Sequence, residues 1–153
     1  MASGFAELFR RATVREPFPF QVALAEGPAL PGIIRAPTGS GKTAAAVLGW
    51  LYRRRFHPDV EVRRATPRRL VYCLPMRVLA EQTRDNAIVW LSRLDLLGGD
   101  AGIRDAESGV ELDRYTPTWE DPERIVVSTI MGGEADGGWD LYPERDAVLV
   151  ASC

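Results

Sequence analysis

An eight-residue run at residues 36–43 constrains this chain more than any other feature. It reads Ala-Pro-Thr-Gly-Ser-Gly-Lys-Thr, with an apolar stretch at 32–35 before it and helix-favouring residues at 44–52 after it. Its glycines let the backbone turn tightly and approach a ligand without a Cβ in the way. Successive amides in such a turn, together with the start of a helix, cradle phosphate oxygens. We therefore predict a short buried strand, a phosphate-binding turn and a helix, in that order.

Two side chains of this run suit a nucleoside triphosphate. The Lys42 ammonium is expected to contact the β and γ phosphates, and the Thr43 hydroxyl to hold Mg²⁺. Lys42 is the only lysine among the 19 lysine and arginine residues, and a compact charge on a flexible stem suits a phosphate. The simpler alternative is a glycine-rich turn with a solvated lysine. The predicted nucleotide contacts in this run are Pro37, Thr38, Gly39, Ser40, Gly41, Lys42, Thr43 and Ala44.

A second candidate segment precedes the phosphate-binding turn. Phe18, Phe20 and Gln21 stand beside two prolines that hold the backbone extended, ahead of a short helix predicted over residues 21–26. A glutamine amide can pair with N6 and N7 of adenine, and a nearby aromatic ring can stack on the base. Alone, Gln21 would be read as a surface residue. Beside a phosphate-binding turn it predicts an adenine pocket, and hence ATP as the nucleotide.

Alternating apolar runs and helical patterns predict a parallel α/β sheet. Further strands are expected at residues 70–74, 125–131 and 147–151, with a long helix over residues 76–97. The acidic stretch at 100–123 is interpreted as a surface insertion with at most a short strand.

Several other residues are given structural roles. Cys73 is expected in the core, His57 in a loop, and the arginines at 53–55 in a structural or solvated cluster. A first helix is predicted from an apolar stripe at helical spacing, formed by Phe5, Leu8, Phe9 and Ala12.

Two places suit contact with a nucleic-acid backbone. Arg77 follows the strand predicted at 70–74, where the free amides of a helix start and an arginine can bind a phosphate. Gly132 and Gly133 follow the strand predicted at 125–131 and permit close approach of another backbone. The simpler alternatives are an ordinary β–α turn with a solvated arginine, and a bulge at the glycines.

Charge and composition limit the possible functions of the chain only slightly. The net charge of −2 is unevenly spread, since residues 1–77 carry 13 basic and 5 acidic side chains and residues 78–153 carry 6 and 16. A basic half suits phosphate-rich partners. No apolar run approaches the roughly 18 residues of a membrane span, so we expect a cytoplasmic protein with no membrane partner. Two cysteines make neither a metal site nor a disulfide framework.

Together these segments resemble the first RecA-like domain of superfamily-2 helicases. Residues 18–21 resemble the adenine-reading glutamine motif, and residues 36–43, with alanine in first place, resemble that superfamily's motif I. Residues 75–82 resemble motif Ia, and residues 131–134 the double-glycine element. The chain is more closely similar to the helicase–nuclease of type I CRISPR interference systems, and residues 139–143 add to that likeness.

The resemblance implies an ATP-dependent translocase on single-stranded DNA that serves a Cascade-like CRISPR effector complex and feeds a nuclease. It implies that Gln21, with Phe18 or Phe20, selects adenine. It also implies that Arg77 and the Gly132–Gly133 pair touch the DNA backbone.

The chain departs from the family pattern in one respect that matters for catalysis. No apolar strand is followed by the Asp-Glu pair of motif II, which holds Mg²⁺ and orients the attacking water. By the same resemblance we expect this chain to lack the second RecA-like domain and the nuclease domain. We therefore expect an N-terminal helix and adenine-recognition segment at 1–30, an incomplete first RecA-like ATP-binding domain at 31–153, and negligible hydrolysis by this chain alone.

Two other functions remain open at this point. A small phosphate-loop kinase would use Lys42 in the same way, but would need a substrate lid and an arginine-rich pocket. A non-catalytic ATP- or DNA-binding module is the second alternative.

Overall fold

A computed structural model describes residues 4–37, 39, 41–106, 109–131, 134–135 and 138–152. The chain divides into two units, Met1–Pro67 and Arg68–Cys153, and the boundary expected near residue 30 stays a prediction. The first unit contains α1 (Gly4–Thr13), α2 (Pro19–Glu26), α3 (Lys42–Leu51), a π-helical segment (Tyr52–Phe56) and α4 (Val60–Ala65). The second contains β1 (Arg69–Leu74), α5 (Arg77–Arg93), β2 (Gly99–Ala106), β3 (Gly109–Pro117), β4 (Val126–Met131), β5 (Glu134–Ala135) and β6 (Ala147–Ser152).

The first unit is built on the apolar faces of its helices. The predicted stripe of α1 is confirmed, because Phe5, Leu8, Phe9 and Ala12 are all buried. The Phe5 ring meets the Tyr52 ring edge-on, with the ring centroids 5.6 Å apart. Helices α2 and α3 also follow the prediction. Helix α2 begins earlier than predicted, at Pro19, and proline suits the first turn of a helix because its missing N–H needs no partner there.

The strand predicted at residues 32–35 is wrong. These residues belong to no strand, and Ile33 is 74% exposed. A strand needs a neighbour for its ladder of hydrogen bonds, and the described part of residues 1–67 contains no strand with which this segment could pair. The segment therefore leads into the phosphate-binding turn as exposed, non-strand backbone.

The second unit contains a four-stranded sheet in the order β1-β6-β4-β5. The first three strands are parallel and begin level with one another, since Ala147 is opposite both Arg69 and Val126. The central strand β6 is buried along Ala147–Val150, as its unbroken apolar run predicts. Helix α5 packs against all three parallel strands. The predicted α/β class with a parallel, RecA-like sheet is confirmed.

Two expectations for the second unit are wrong. On β1, which lies at the edge of the sheet, Val71 and Cys73 share one face of the strand; Val71 is 54% exposed and Cys73 is exposed rather than in the core. The acidic stretch is not an insertion with at most one short strand, because β2 and β3 pair as an antiparallel hairpin. Its ladder is formed by backbone groups, which leave little trace in side-chain composition.

A half-buried tyrosine joins the hairpin to the sheet. The Tyr115 hydroxyl donates to the Gly98 carbonyl at 2.7 Å and accepts from the Val127 N–H at 3.2 Å. Burial raises the pKa of Tyr115 to about 12, although the Val127 N–H lowers it in part. The hydroxyl thus covers a backbone donor of β4 at a position that the short β5 does not reach.

We expect Tyr115 to make stability depend on alkaline pH. Because its folded pKa lies above the unfolded value near 10, its contribution is complete below about pH 10 and is lost as the pH rises to about 12. Two pKa units correspond to about 3 kcal/mol. Urea unfolding should therefore show a shallower alkaline loss of stability in Tyr115→Phe than in the wild type. Tyr142→Phe, at a residue 38% exposed, is the control, and parallel curves for all three proteins would contradict the assignment.

Candidate nucleotide and nucleic-acid site

Two left-handed glycines form the turn ahead of α3. Gly39 has φ 78° and Gly41 has φ 85°, a region that favours glycine because a Cβ would clash with the backbone. Gly41 is the N-cap of α3, and Lys42 is its first residue. Lys42 is exposed, and no ion pair joins it to another described residue. The turn therefore places a cation beside the first backbone amides of a helix.

The candidate adenine residue is attached to this turn. Gln21 is only 1% exposed, and its Nε2 donates to the Gly41 carbonyl at 2.9 Å. Its Oε1 accepts from the Phe18 N–H at 2.7 Å. The Gly41 carbonyl also accepts from the Ala45 N–H at 2.9 Å. The base-side segment and the phosphate-side turn predicted from sequence are thus in direct contact.

The two predicted aromatic candidates stand together beside Gln21. The rings of Phe18 and Phe20 are nearly parallel, at 10° with centroids 6.4 Å apart. Phe18 is 54% exposed, so one ring presents a face to solvent. An exposed π-face next to an amide is what stacking on a base requires.

The described residues of the turn fit a Mg²⁺–nucleotide. The space in front of Gly39 is open, with no heavy atom within 4 Å of an added Cβ. Thr43 lies in the first turn of α3, and Mg²⁺ bound to phosphates keeps several waters and takes few protein ligands. The described residues include no cluster of three or more His, Cys, Asp or Glu suited to a metal. Thr38 and Ser40 lie outside the described residues.

Arg77, the candidate DNA contact, lies at the start of α5. Its Nε donates to Glu81 Oε1 at 3.3 Å, and the two side chains are 66% and 44% exposed. Such a surface pair contributes only about 0–1 kcal/mol, so a phosphate could replace Glu81 at little cost. Its helix follows β1, at the carboxyl end where parallel sheets bind ligands. Gly132 and Gly133 lie outside the described residues.

Two polar residues have larger roles than the sequence suggested. Arg53 is 4% exposed rather than solvated, and burial lowers the pKa of its guanidinium. His57 lies in the loop between the π-helical segment and α4, as predicted, but its side chain is buried there; its Nδ1 accepts from the Asp59 N–H at 3.1 Å, so the ring proton is on Nε2. No local pattern distinguishes Arg53 from the arginines that follow it, because its partners are more than 20 residues away.

These features define a class. A glycine turn that opens a helix with a lysine, and a parallel α/β sheet, are the parts of a P-loop nucleotide-binding protein of RecA-like type. The model of the DEAD/DEAH box helicase family matches residues 23–130. Since that is more than two thirds of the chain, the chain belongs to the DEAD/DEAH box helicases, ATP-dependent enzymes of superfamily 2 that act on nucleic acids.

The matched range covers some of the predicted segments and not others. It includes the phosphate-binding turn and Arg77, but it begins after Gln21 and ends before Gly132. No curated protein matches the chain. Among the described helices, none has both the length and the apolar character needed to cross a bilayer.

Three glycine variants should separate the effect of backbone strain at the turn from that of a steric clash with Gln21. Gly41→Ala combines a left-handed φ with a Cβ 2.4 Å from Gln21 Nε2, whereas Gly39→Ala meets only the unfavourable φ. Gly32→Ala meets neither. Left-handed strain costs about 1–2 kcal/mol, so Mg·ATP affinity measured by titration calorimetry should fall most in Gly41→Ala, less in Gly39→Ala and not in Gly32→Ala. Equal affinities at positions 41 and 32 would contradict this geometry.

Proposed function

We propose that this chain is the ATP-binding part of a translocase that moves on single-stranded DNA and serves a type I CRISPR effector of the Cascade type. The observation that carries the ATP-binding role is the start of α3, where Lys42 follows the left-handed Gly41 and Gln21 bonds to the same glycine. The choice of DNA and of a CRISPR effector is supported by the order of the sequence motifs, above all residues 75–82, 131–134 and 139–143.

Each residue of the nucleotide site has a proposed role. The Lys42 ammonium neutralises charge on the β and γ phosphates, and Thr43 contributes one ligand to Mg²⁺, which draws charge from the same oxygens. Both ends of the Gln21 amide are bonded within the protein and the residue is 1% exposed; by its valence the amide has one further N–H and one further lone pair. Those two groups match N7 and the N6 amino group of adenine. Phe18 or Phe20 stacks on the base.

Binding and hydrolysis make different demands on the protein. Hydrolysis needs carboxylates that place Mg²⁺ and the attacking water, and an arginine finger worth on the order of 10³-fold or more. The 153 residues contain no apolar strand followed by an Asp-Glu pair. We therefore propose that this chain alone binds ATP with negligible turnover. A non-catalytic ATP- or DNA-binding module is the second candidate, and the same observation favours it.

Lys42→Ala tests the proposal directly. A hydrogen bond to a charged group contributes about 1.5–3 kcal/mol, so Mg·ATP should bind roughly ten- to a hundredfold more weakly while thermal unfolding stays unchanged. Arg11→Ala removes an exposed cation from α1 of the same unit and should bind as the wild type does. Calorimetric titration of folded protein measures both, and undiminished binding by Lys42→Ala would refute the phosphate-binding assignment.

Contact with the DNA backbone should appear as a salt dependence. Phosphate contacts to single strands release counterions, with a slope in log–log plots of about −0.7 for each contact. Fluorescence anisotropy with labelled oligothymidine should show a slope about 0.7 smaller in magnitude for Arg77→Ala. Arg93→Ala, at the far end of α5, is the control. A wild-type affinity independent of salt would exclude phosphate contacts, and an unchanged slope in Arg77→Ala would exclude that residue.

A further inference from the structure

The C-terminal end of α2 is held by one buried guanidinium. Arg53 Nη1 donates to the carbonyls of Leu24, Ala25 and Gly27 at 3.1, 3.4 and 2.6 Å, and its Nη2 donates to that of Pro28 at 3.4 Å. The carbonyls of Leu24 and Ala25 lie in the last turn of α2, the negative end of the helix dipole, where a cation is favoured, and those of Gly27 and Pro28 follow it directly. The planar fork of arginine carries donors on two terminal nitrogens in fixed directions, whereas the ammonium of lysine is a single point charge.

A histidine contacts the one carbonyl of residues 24–28 that Arg53 does not bind, that of Glu26. His57 Nε2 lies 3.4 Å from the Glu26 carbonyl oxygen and, as the protonated ring nitrogen, donates to it. Arg53 and His57 come from the same stretch, the π-helical segment and the residue after it. A π-helical turn is rare and often marks a functional site. Five consecutive carbonyls, those of residues 24–28, are therefore bound from one short stretch of chain.

Three contacts fix α2 against the phosphate-binding helix. At one end Gln21 bonds to Gly41. In the middle Leu24 lies so close to Gly49 that an added Cβ would be 2.3 Å from Leu24 Cδ2. At the other end is Arg53. Because α2 has only eight residues, about 12 Å of helix, a shift at its C-terminus displaces its first turn as well.

Burial of Arg53 is costly for a purely structural contact. A charge removed from water must regain its hydration through close partners, yet the buried Nε of Arg53 has no partner among the described atoms. An apolar side chain of similar size often stabilises such a site as well or better. A buried fork does fix one position of the helix, since only that position satisfies its donors.

We propose that Arg53 is a positioning residue for adenine recognition. Arg53 fixes α2 at the position along α3 at which Gln21 stays bonded to Gly41, with Phe18 and Phe20 beside Gln21. Phosphate binding depends on the turn and Lys42 and does not require this positioning. The inference rests on the proposed binding of ATP, and it names a residue outside the nucleotide site that determines the choice of base.

The test compares three ligands: Mg·ATP, Mg·GTP and magnesium tripolyphosphate. In Arg53→Met the ratio of ATP to GTP affinity should fall about tenfold, the effect of losing one good hydrogen bond. Tripolyphosphate affinity should change by less than about twofold. Arg53→Lys keeps the charge without the fork and should lie in between. Arg11→Met, an exposed arginine in the same unit, should match the wild type.

A merely structural role gives a different pattern. If Arg53→Met only lowered the folded fraction, all three apparent affinities would fall by the same factor, and the ATP-to-GTP ratio would not move. That result would overturn the inference, whether seen in Arg53→Met or, if that variant folds poorly, in Arg53→Lys.

A double-mutant comparison tests the route through Gln21. If Arg53 acts by placing Gln21, then Arg53→Met should not change the ATP-to-GTP ratio further when added to Gln21→Ala. Independent, additive losses would overturn the inference. The proposed function fails separately, because wild-type protein that binds none of the three ligands would refute ATP binding itself.

Discussion

The hydrogen bond from the Gln21 side chain to the Gly41 carbonyl is the contact on which the nucleotide site depends. It is buried, and an unpaired buried amide costs about 1–3 kcal/mol, so Gln21 cannot leave the turn without a replacement partner. The same bond explains the glycine, because an added Cβ at position 41 would lie 2.4 Å from Gln21 Nε2. The proposed base contact and the phosphate-binding turn therefore meet at one residue of the backbone.

The strands of the sheet in the second unit differ in how their edges are covered. Strand β6 has neighbours on both sides, and β4 is covered on its outer side by β5 at one end and by the Tyr115 hydroxyl nearer the other. On β1 the outer side carries no described strand. Because β1, β6 and β4 are parallel, their carboxyl ends lie at the same end of the sheet. Arg77 follows β1, the strand at the open edge.

Sequence reasoning succeeded where burial follows directly from an apolar pattern. The stripe of α1 and the apolar runs of β4 and β6 were predictable because each is buried by its own side chains. It failed where the outcome depends on a neighbour. An apolar run does not tell whether both faces of a strand are covered or whether a partner strand exists. It therefore predicts neither the exposed face of β1 nor the lack of a described partner strand for residues 32–35. Arg53 was missed because its partners lie 25 to 29 residues away in sequence.

The buried or half-buried arginines and the single lysine differ in the oxygen atoms that they are placed to bind. Arg53 binds the end of α2, Arg69 binds three carbonyls of the loop before β6, and Arg124 binds the carbonyls of Asp95 and Leu97. Each directs guanidinium N–H groups at carbonyls fixed by the fold. Lys42 alone is an ammonium, and it stands exposed at the start of a helix with no described partner. A fork suits oxygens whose directions are constant, whereas a flexible point charge suits phosphates that arrive and leave, so the placement of the one lysine is itself an argument for a nucleotide site.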